Sequence, residues 1–303
     1  MNNPPLVSLI IITMNHEKFI EQACLSAISQ TYPNYEIILL DNASKDKTFH
    51  NAEQALSTFD KPYKTIRNTE SFGVAKNINT AISHASGEYI SILSGDDWFT
   101  EDHLAEKVSY IEKNPVDFIL SDGYKYYQSE EKMTDAYTPK EKKQIIDTLN
   151  NFFHENVSEN KTANVGTFAK RNLLVEYPFD ENINTEDWDM NLRLTSKGYK
   201  IGFIDKKLFY YRILSTSLSR NWKLMKDSYE KVTHKYIDYI KADQKLYKKY
   251  RLKLIHFKYE ILLSETDSEA EKERLQTEWK KEKYRIKYKN PVLFFKLLML
   301  KNK

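Results

Sequence analysis

At 303 residues and 41% hydrophobic composition, the chain can bury a sizeable core as one large domain plus an appendage. Its single cysteine excludes an intramolecular disulfide and any cysteine-based metal knuckle, and fits a reducing compartment. The net charge of +3 hides an asymmetry: residues 220–303 carry 23 Lys and Arg against 12 Asp and Glu, the rest 23 against 31. An acidic body with a basic tail points to a tail that meets something anionic.

The opening MNNPPLVSLIIITMN has no basic segment ahead of its apolar run, and the run is too short to span a bilayer. It reads as a strand rather than a signal peptide, and the expected location is cytoplasmic. Up to Leu120, short apolar runs alternate with amphipathic stretches. Strands are predicted over Val7–Ile12, Glu36–Leu40, Tyr63–Arg67, Tyr89–Leu93 and Asp117–Leu120, and helices over Glu17–Gln30, Asp46–Phe59, Val74–Ala85 and Thr100–Lys113. Cys24 shares a helical face with Ile20, Ala23, Ala27 and Ile28, which predicts a core position. Strand alternating with helix predicts an α/β fold with a largely parallel sheet covered on both faces. In such sheets ligands bind at the carboxyl ends of the strands. Polar residues gather there: Thr13 and Asn15 after the first strand, Asp41 and Asn42 after the second, Asn68 after the third, Asp96 and Asp97 after the fourth.

Residues 122–161 are polar, Lys- and Glu-rich and without clear period, and read as an insertion or loop excursion. A helix over Glu186–Ser196 ends at Gly198, and two short strands are expected to follow. From Trp222 the sequence is helical, rich in Lys and Tyr, with no turn signal before Asn290–Pro291. The closing NPVLFFKLLMLKNK falls short of the ~20 apolar residues of a membrane span. Two readings fit it. One is an interfacial anchor drawn to anionic lipid by the Lys and Arg upstream, a peripheral membrane contact. The other is a terminal helix docked on the body or on a second subunit, which would make a homodimer. No nucleic-acid module appears, and no nucleic-acid partner is expected.

In SILSGDDWFT, Ser91 to Thr100, two adjacent carboxylates repel each other and gain nothing from a core. On a loop at the binding edge such a pair can hold a divalent cation, which in turn neutralises a diphosphate. Capping the next helix is the bland alternative, but Thr100 and Asp102 suffice for that. These residues alone leave nucleotidyl transfer open beside sugar transfer.

Longer segments narrow this. VSLIIITMNHEKFIEQACLSAISQTYPNYEIILLDNASKDKT resembles the opening of the family 2 glycosyltransferases, NTESFGVAKNINTAISHASGEYISILSGDDWFTEDHL their next block, and TEDWDMNLRLTSKGYKI their later Glu-Asp block. The resemblance runs from Val7 to Ser219. It implies a GT-A fold over residues 1–219, a Rossmann-like, mostly parallel sheet flanked by helices. Residues 122–162 then become an acceptor region, and 220–303 a helical basic C-terminal extension. It also implies inverting transfer of a sugar from a nucleotide-diphosphate donor to a hydroxyl of a saccharide or lipid-linked saccharide. The setting would be bacterial surface polysaccharide or glycolipid assembly at the inner face of the plasma membrane.

The same resemblance implies roles residue by residue. Thr13, Asn15 and Asp41 would contact base and ribose, and Lys76 stands where the family often has Arg near the nucleotide. Asp96 would face the ribose or sugar and join Asp97 on Mn2+ or Mg2+. Asp187 matches the general base, with Glu186 beside it, and Arg212 belongs to the block that closes the donor site. Departures are Asn42 for a second Asp, which leaves Asp41 to make its contact alone, Ser94 for the first acid of the metal motif, and Leu214 where His is common.

The chemistry agrees. A single displacement at the anomeric carbon needs one base for the acceptor hydroxyl and a cation for the departing diphosphate. A retaining double displacement would want a second carboxylate as nucleophile. Trp98 and Trp188 directly follow the two acid motifs; they could border the donor and acceptor sites, since sugars stack on rings, but such residues more often serve in packing. A nucleotidyltransferase would want a Gly-rich phosphate loop after the first strand, and TMNHEKF has no glycine. A non-catalytic sugar-nucleotide binder would have no need of Asp97 and Asp187.

Overall fold

The run VSLIIIT builds the central strand, β1 (Val7–Thr13), because an unbroken apolar, β-branched stretch can be buried on both faces of a parallel sheet. The computed structural model describes residues 3–162 and 165–288. In it, β1 pairs in parallel with β2 (Tyr35–Asp41), which carries β3 (Tyr63–Arg67) on its outer side, and with β4 (Tyr89–Ser94). The remaining strands are β5 (Trp98–Phe99), β6 (Phe118–Tyr127), β7 (Lys132–Asp135), β8 (Phe168–Lys170) and β9 (Ile201–Ile213). Among the described residues they form one sheet in the order β3-β2-β1-β4-β8-β6-β9-β5, with β7 paired to β6. The parallel order holds from β3 to β4. Beyond it β8 runs antiparallel to both β4 and β6, while β6 and β9 are parallel.

Helices α1 (Ile20–Ile28), α2 (Thr48–Leu56), α3 (Val74–Ser83) and α4 (His103–Lys113) return the chain between strands. Their buried faces fit the sequence expectation: Ile20, Ala23, Cys24 and Ala27 on α1, Ala75, Ile78, Ala81 and Ile82 on α3. Cys24 is a core residue, and burial pushes its thiol up to about 12. The core fills both faces of β1 and β2, where Leu9, Ile10, Ile11, Ile37, Ile38, Leu39 and Leu40 are fully buried.

Two expectations need correction. Residues 122–161 are not an irregular excursion. They hold the end of β6, the short partner β7, α5 (Pro139–Asp147) and α6 (Phe152–Asn156). The order comes from local chemistry and from pairing. Thr138 and Glu141 form a reciprocal capping box with Pro139 in the first turn, and Tyr124 to Tyr127 lie against both β7 and β9. After α7 (Arg171–Glu176) and α8 (Glu186–Ser196), the expected two short strands are one thirteen-residue strand, β9. Its polar centre, Asp205–Lys207, does not break it. The register with β6 shifts there, and Lys207 turns onto the buried Asp122 at 3.0 Å.

Two compact units separate: the chain up to Phe153 together with Lys161–Ser215, and His154–Asn160 together with the chain from Thr216. The second is built of α9 (Trp222–His234), α10 (Ile237–Ala242), α11 (Gln244–Ser264) and α12 (Glu269–Lys287). Side-chain caps that the composition concealed punctuate it. Asp243 accepts from the Lys245 and Leu246 N–H groups at 2.7 and 2.9 Å, and Ser268 caps α12. No helix of the described residues is long and apolar enough to cross a membrane. The apolar segment Asn290–Lys303 lies outside the described residues.

Candidate active site

The polar residues singled out in the sequence meet at the carboxyl ends of β1, β2 and β4, because parallel register puts those ends side by side. Thr13 pairs with Asp41, and Ile12 with Ser94. Asp41 is fully buried. Its Oδ2 accepts from the Ser44 N–H at 3.1 Å and lies 3.6 Å from Arg67 Nε. Its Oδ1 is buried with no hydrogen-bond partner. Ser44 also ties Asn15 into the group. The Asn15 N–H donates to Ser44 Oγ at 2.9 Å, and Asn15 Oδ1 accepts from the Lys45 N–H at 2.8 Å. Asn15 holds φ at 55°, a conformation asparagine tolerates better than most residues.

The acid loop leaves β4 directly above Thr13. Its turn needs Gly95, since a Cβ there would collide with the Thr13 side chain. Asp96 accepts from the Ser94 hydroxyl at 2.5 Å and is half-buried, whereas Asp97 is only 4% exposed. Burial holds the Asp97 carboxyl well above the usual range, and the neighbouring Asp96 charge adds to this, while the Arg212 N–H and guanidinium oppose it. The loop is clamped from β9. The Arg212 N–H donates to Asp97 Oδ1 at 2.8 Å, and Arg212 Nε donates to the Asp96 carbonyl at 2.7 Å. The guanidinium also donates to Gln22 and Gln128 and sits against Phe19, Trp98 and Tyr126, 4.6 to 5.5 Å from their ring centres. Arg212 therefore meets the acid loop itself. Trp98 lies in this cage, stacked on Tyr210 at 4.7 Å.

A divalent cation fits this donor set. Asp97 is a buried carboxylate with an ionic form that its surroundings disfavour, and a 2+ charge would reverse that penalty. Among the described residues no group of three or more His, Cys, Asp or Glu could hold a metal by itself. Asp96 and Asp97 would thus supply two ligands and leave the rest to phosphate oxygens and water, as Mg2+-type sites commonly do.

Lys76, in the first turn of α3, stands over the Phe72 ring at 3.6 Å. Phe72 is fixed by a network the sequence did not disclose. Asn42 accepts from the Phe72 N–H at 2.8 Å and donates to its carbonyl at 2.9 Å. Asn68 donates to both Asn42 and Asn77, at 3.1 and 2.8 Å. Asn42 thus has a task an aspartate could not fill, because its NH2 group faces a carbonyl.

The second acid pair opens α8. The approach to it is pinned to α3, where Asn79 exchanges hydrogen bonds with Phe179, both at 2.9 Å. Glu186 and Asp187 are half-buried, and Asp187 accepts from the Trp188 N–H at 2.7 Å. Burial raises both carboxyls, and the adjacent Asp187 charge raises Glu186 further. Thr185 Oγ1 and both side-chain atoms of Asn191, one helical turn from Asp187, are buried without partners. Sequence reasoning passed over both, since neither stands out in a helix pattern. Asp189 is paired with Arg193 at 2.7 Å. The Trp188 ring is 2% exposed and packs inside, the more frequent role of such a residue.

Residues 8–174 match glycosyl transferase family 2, and the chain belongs to that family. The match ends before Glu186. Bacillus subtilis "Putative glycosyltransferase EpsE" is 36% identical over 114 residues, 38% of this chain and 41% of EpsE, so the chain matches less than half the length of that relative. "Putative teichuronic acid biosynthesis glycosyltransferase TuaG" of the same organism is 26% identical over 75% of this chain and 87% of TuaG. Among solved structures, mannosyltransferase PcManGT from Pyrobaculum calidifontis, in complex with GDP-Man and Mn2+, aligns with a TM-score of 0.62. The identity is 19%, over 78% of this chain and 65% of that one. S. aureus TarS 1-349 in complex with UDP-GlcNAc gives 0.56 at 18% identity, over 92% and 79%. These likenesses establish the GT-A fold.

Proposed function

We propose that the protein is an inverting, divalent-cation-dependent glycosyltransferase that moves a sugar from a nucleotide-diphosphate donor to a hydroxyl of a saccharide or lipid-linked saccharide. The observation that carries this is the Asp96–Asp97 loop, clamped by the Arg212 N–H at the carboxyl edge of the sheet in a chain of glycosyl transferase family 2. Thr13, Asn15 and Lys76 would line the nucleotide, with the buried Asp41 behind them, and Asp96 the ribose or sugar.

Asp96 and Asp97 would hold Mn2+ or Mg2+, whose charge offsets that of the leaving diphosphate. Asp187 takes the proton of the acceptor hydroxyl. The hydroxyl oxygen bonds to the anomeric carbon as the bond to the diphosphate breaks, and the diphosphate leaves with that electron pair. A raised carboxyl suits a base, because proton transfer is most effective when its pKa approaches working pH. Glu186, raised by burial and by the neighbouring Asp187 charge, stands beside it. Arg212 acts through the acid loop, as a positioning residue.

The test is a panel of nucleotide sugars screened for thermal stabilisation with Mn2+ or with EDTA, followed by release of the nucleoside diphosphate on adding saccharide acceptors. Stabilisation by one donor with Mn2+, and diphosphate release that depends on acceptor, are expected. A protein that no donor stabilises would sink the reading.

A further inference from the structure

The helical unit separates its charges in space in a way its composition conceals. Helices α11 and α12 pair as an antiparallel hairpin. Lys248 Nζ donates to the Lys287 carbonyl at 3.0 Å at the open end, and Lys258 meets Glu282 at 2.7 Å further in. Residues 244–258 contain six Lys and Arg and no acid, and 279–287 contain five with the single acid Glu282. Pairing brings these two stretches together. The opposite end, at the turn, holds Glu265, Asp267, Glu269, Glu271 and Glu273. The hairpin is acidic at its turn and basic at its open end.

Helix stability does not explain the basic end. Cations belong near a helix C-terminus, which accounts for Arg285 and Lys287 on α12, but Lys245, Lys248 and Lys249 occupy the first turns of α11, where the helix dipole repels them. Lys245, Lys249 and Lys253 also follow one another at i,i+4 spacing, a like-charge series that disfavours the helix and that Glu155 and Glu159, 3.9 Å from Lys249 and Lys253 respectively, offset only in part. Asp243, the acid beside them, is engaged by the Lys245 and Leu246 N–H groups. Lys245, Lys248, Arg251, Arg285 and Lys287 are exposed, and so are Tyr247 and Tyr288 at the same end. Exposed tyrosines among lysines suit the boundary between headgroups and acyl chains, where a ring is half apolar and half polar. The apolar run PVLFFKLLML follows in sequence from this end.

We propose that the open end of the α11–α12 hairpin is a docking surface for an anionic phospholipid bilayer. Charge complementarity supplies long-range attraction, and the tyrosines the contact at the interface. The surface belongs to the helical unit alone and does not depend on the reading of the acid sites.

The experiment is co-sedimentation of the full chain with phosphatidylcholine vesicles, with and without 30% phosphatidylglycerol, at low and high salt. Binding only to the phosphatidylglycerol vesicles, weakened at least tenfold by high salt, is expected. The combined variant Lys245→Glu, Lys248→Glu, Arg285→Glu and Lys287→Glu should lose at least tenfold in binding. The pair Lys245→Gln and Lys248→Gln, which leaves α12 untouched, should lose part of it at an unchanged melting temperature. Equal binding to both vesicle types overturns the proposal, and so does full binding by both variants. Tighter binding of a mixed-sequence RNA oligonucleotide than of the anionic vesicles overturns it as well, in favour of a nucleic-acid surface.

Discussion

The backbone N–H of Arg212 donates to Asp97 Oδ1 at 2.8 Å across 115 residues of sequence. This bond ties the end of β9 to the acid loop after β4, and the guanidinium extends the tie to the Asp96 carbonyl, Gln22 and Gln128. Arg212→Lys keeps the charge but not the planar fork, so at most one of these side-chain bonds survives. Charge-assisted hydrogen bonds at buried sites contribute roughly 1.5–3 kcal/mol each, and a loss of about 3 kcal/mol is expected. Urea denaturation would reveal it as a lower midpoint. An unchanged midpoint would mean that the clamp is not structural.

Asp97→Asn separates the cation from the fold. The folded carboxyl is raised, so the folded state holds that proton more tightly than the unfolded chain. Its stabilising effect is present below the ordinary value of about 3.9 and is lost as pH rises through the folded value. At pH 7 and above, an amide avoids the cost of a buried ionised group. With EDTA at pH 7.5 the variant is therefore expected to melt no lower than the parent, while any stabilisation by Mn2+ plus donor disappears. Retained Mn2+-dependent stabilisation would move the cation elsewhere.

Asp187→Asn is expected to lower turnover roughly 10²–10⁴-fold with donor affinity nearly unchanged, since the base matters in the transition state. Loss of donor binding in equal measure would make Asp187 part of the donor pocket.

The same carboxyl sets a pH dependence. As the proposed base, Asp187 must be ionised for turnover, and burial raises its value. The acid limb of kcat should then lie above the ordinary carboxylate value of about 3.9, with activity lost as pH falls through the raised value. A limb centred at or below about pH 4 would assign the proton transfer to a solvated group.

Asn42→Asp installs the second acid that the family resemblance implies at this position. Here it should destabilise, because a carboxylate would face the Phe72 carbonyl that the amide NH2 now satisfies. About 1–3 kcal/mol is expected for the lost donor and the unpaired acceptor. Thermal melts with and without donor would show whether loosening Phe72 also costs binding through Lys76.

The sequence discloses the strand–helix alternation through Lys113, the core position of Cys24 and the polar residues at the strand ends. Each of these depends on local periodicity or on what stands next along the chain. It could not show that 122–161 is ordered, because the partners of Tyr124 to Tyr127 lie on β9, more than eighty residues downstream. Nor could it show that DKK sits within one strand, since the bulge that accommodates Asp205–Lys207 exists only against β6. The partners of Asn42 and the cage around Arg212 were hidden for the same reason. Phe19 and Gln22 come from one segment, Trp98 from a second and Tyr126 and Gln128 from a third, and nothing in their own neighbourhoods sets them apart. The charge of the last segment was plain in the composition, but its separation into an acidic turn and a basic end required the antiparallel pairing of α11 with α12. Local propensity acts over a few residues, whereas burial and charge act on whatever the fold brings within a few ångströms, and only the tertiary structure decides what that is.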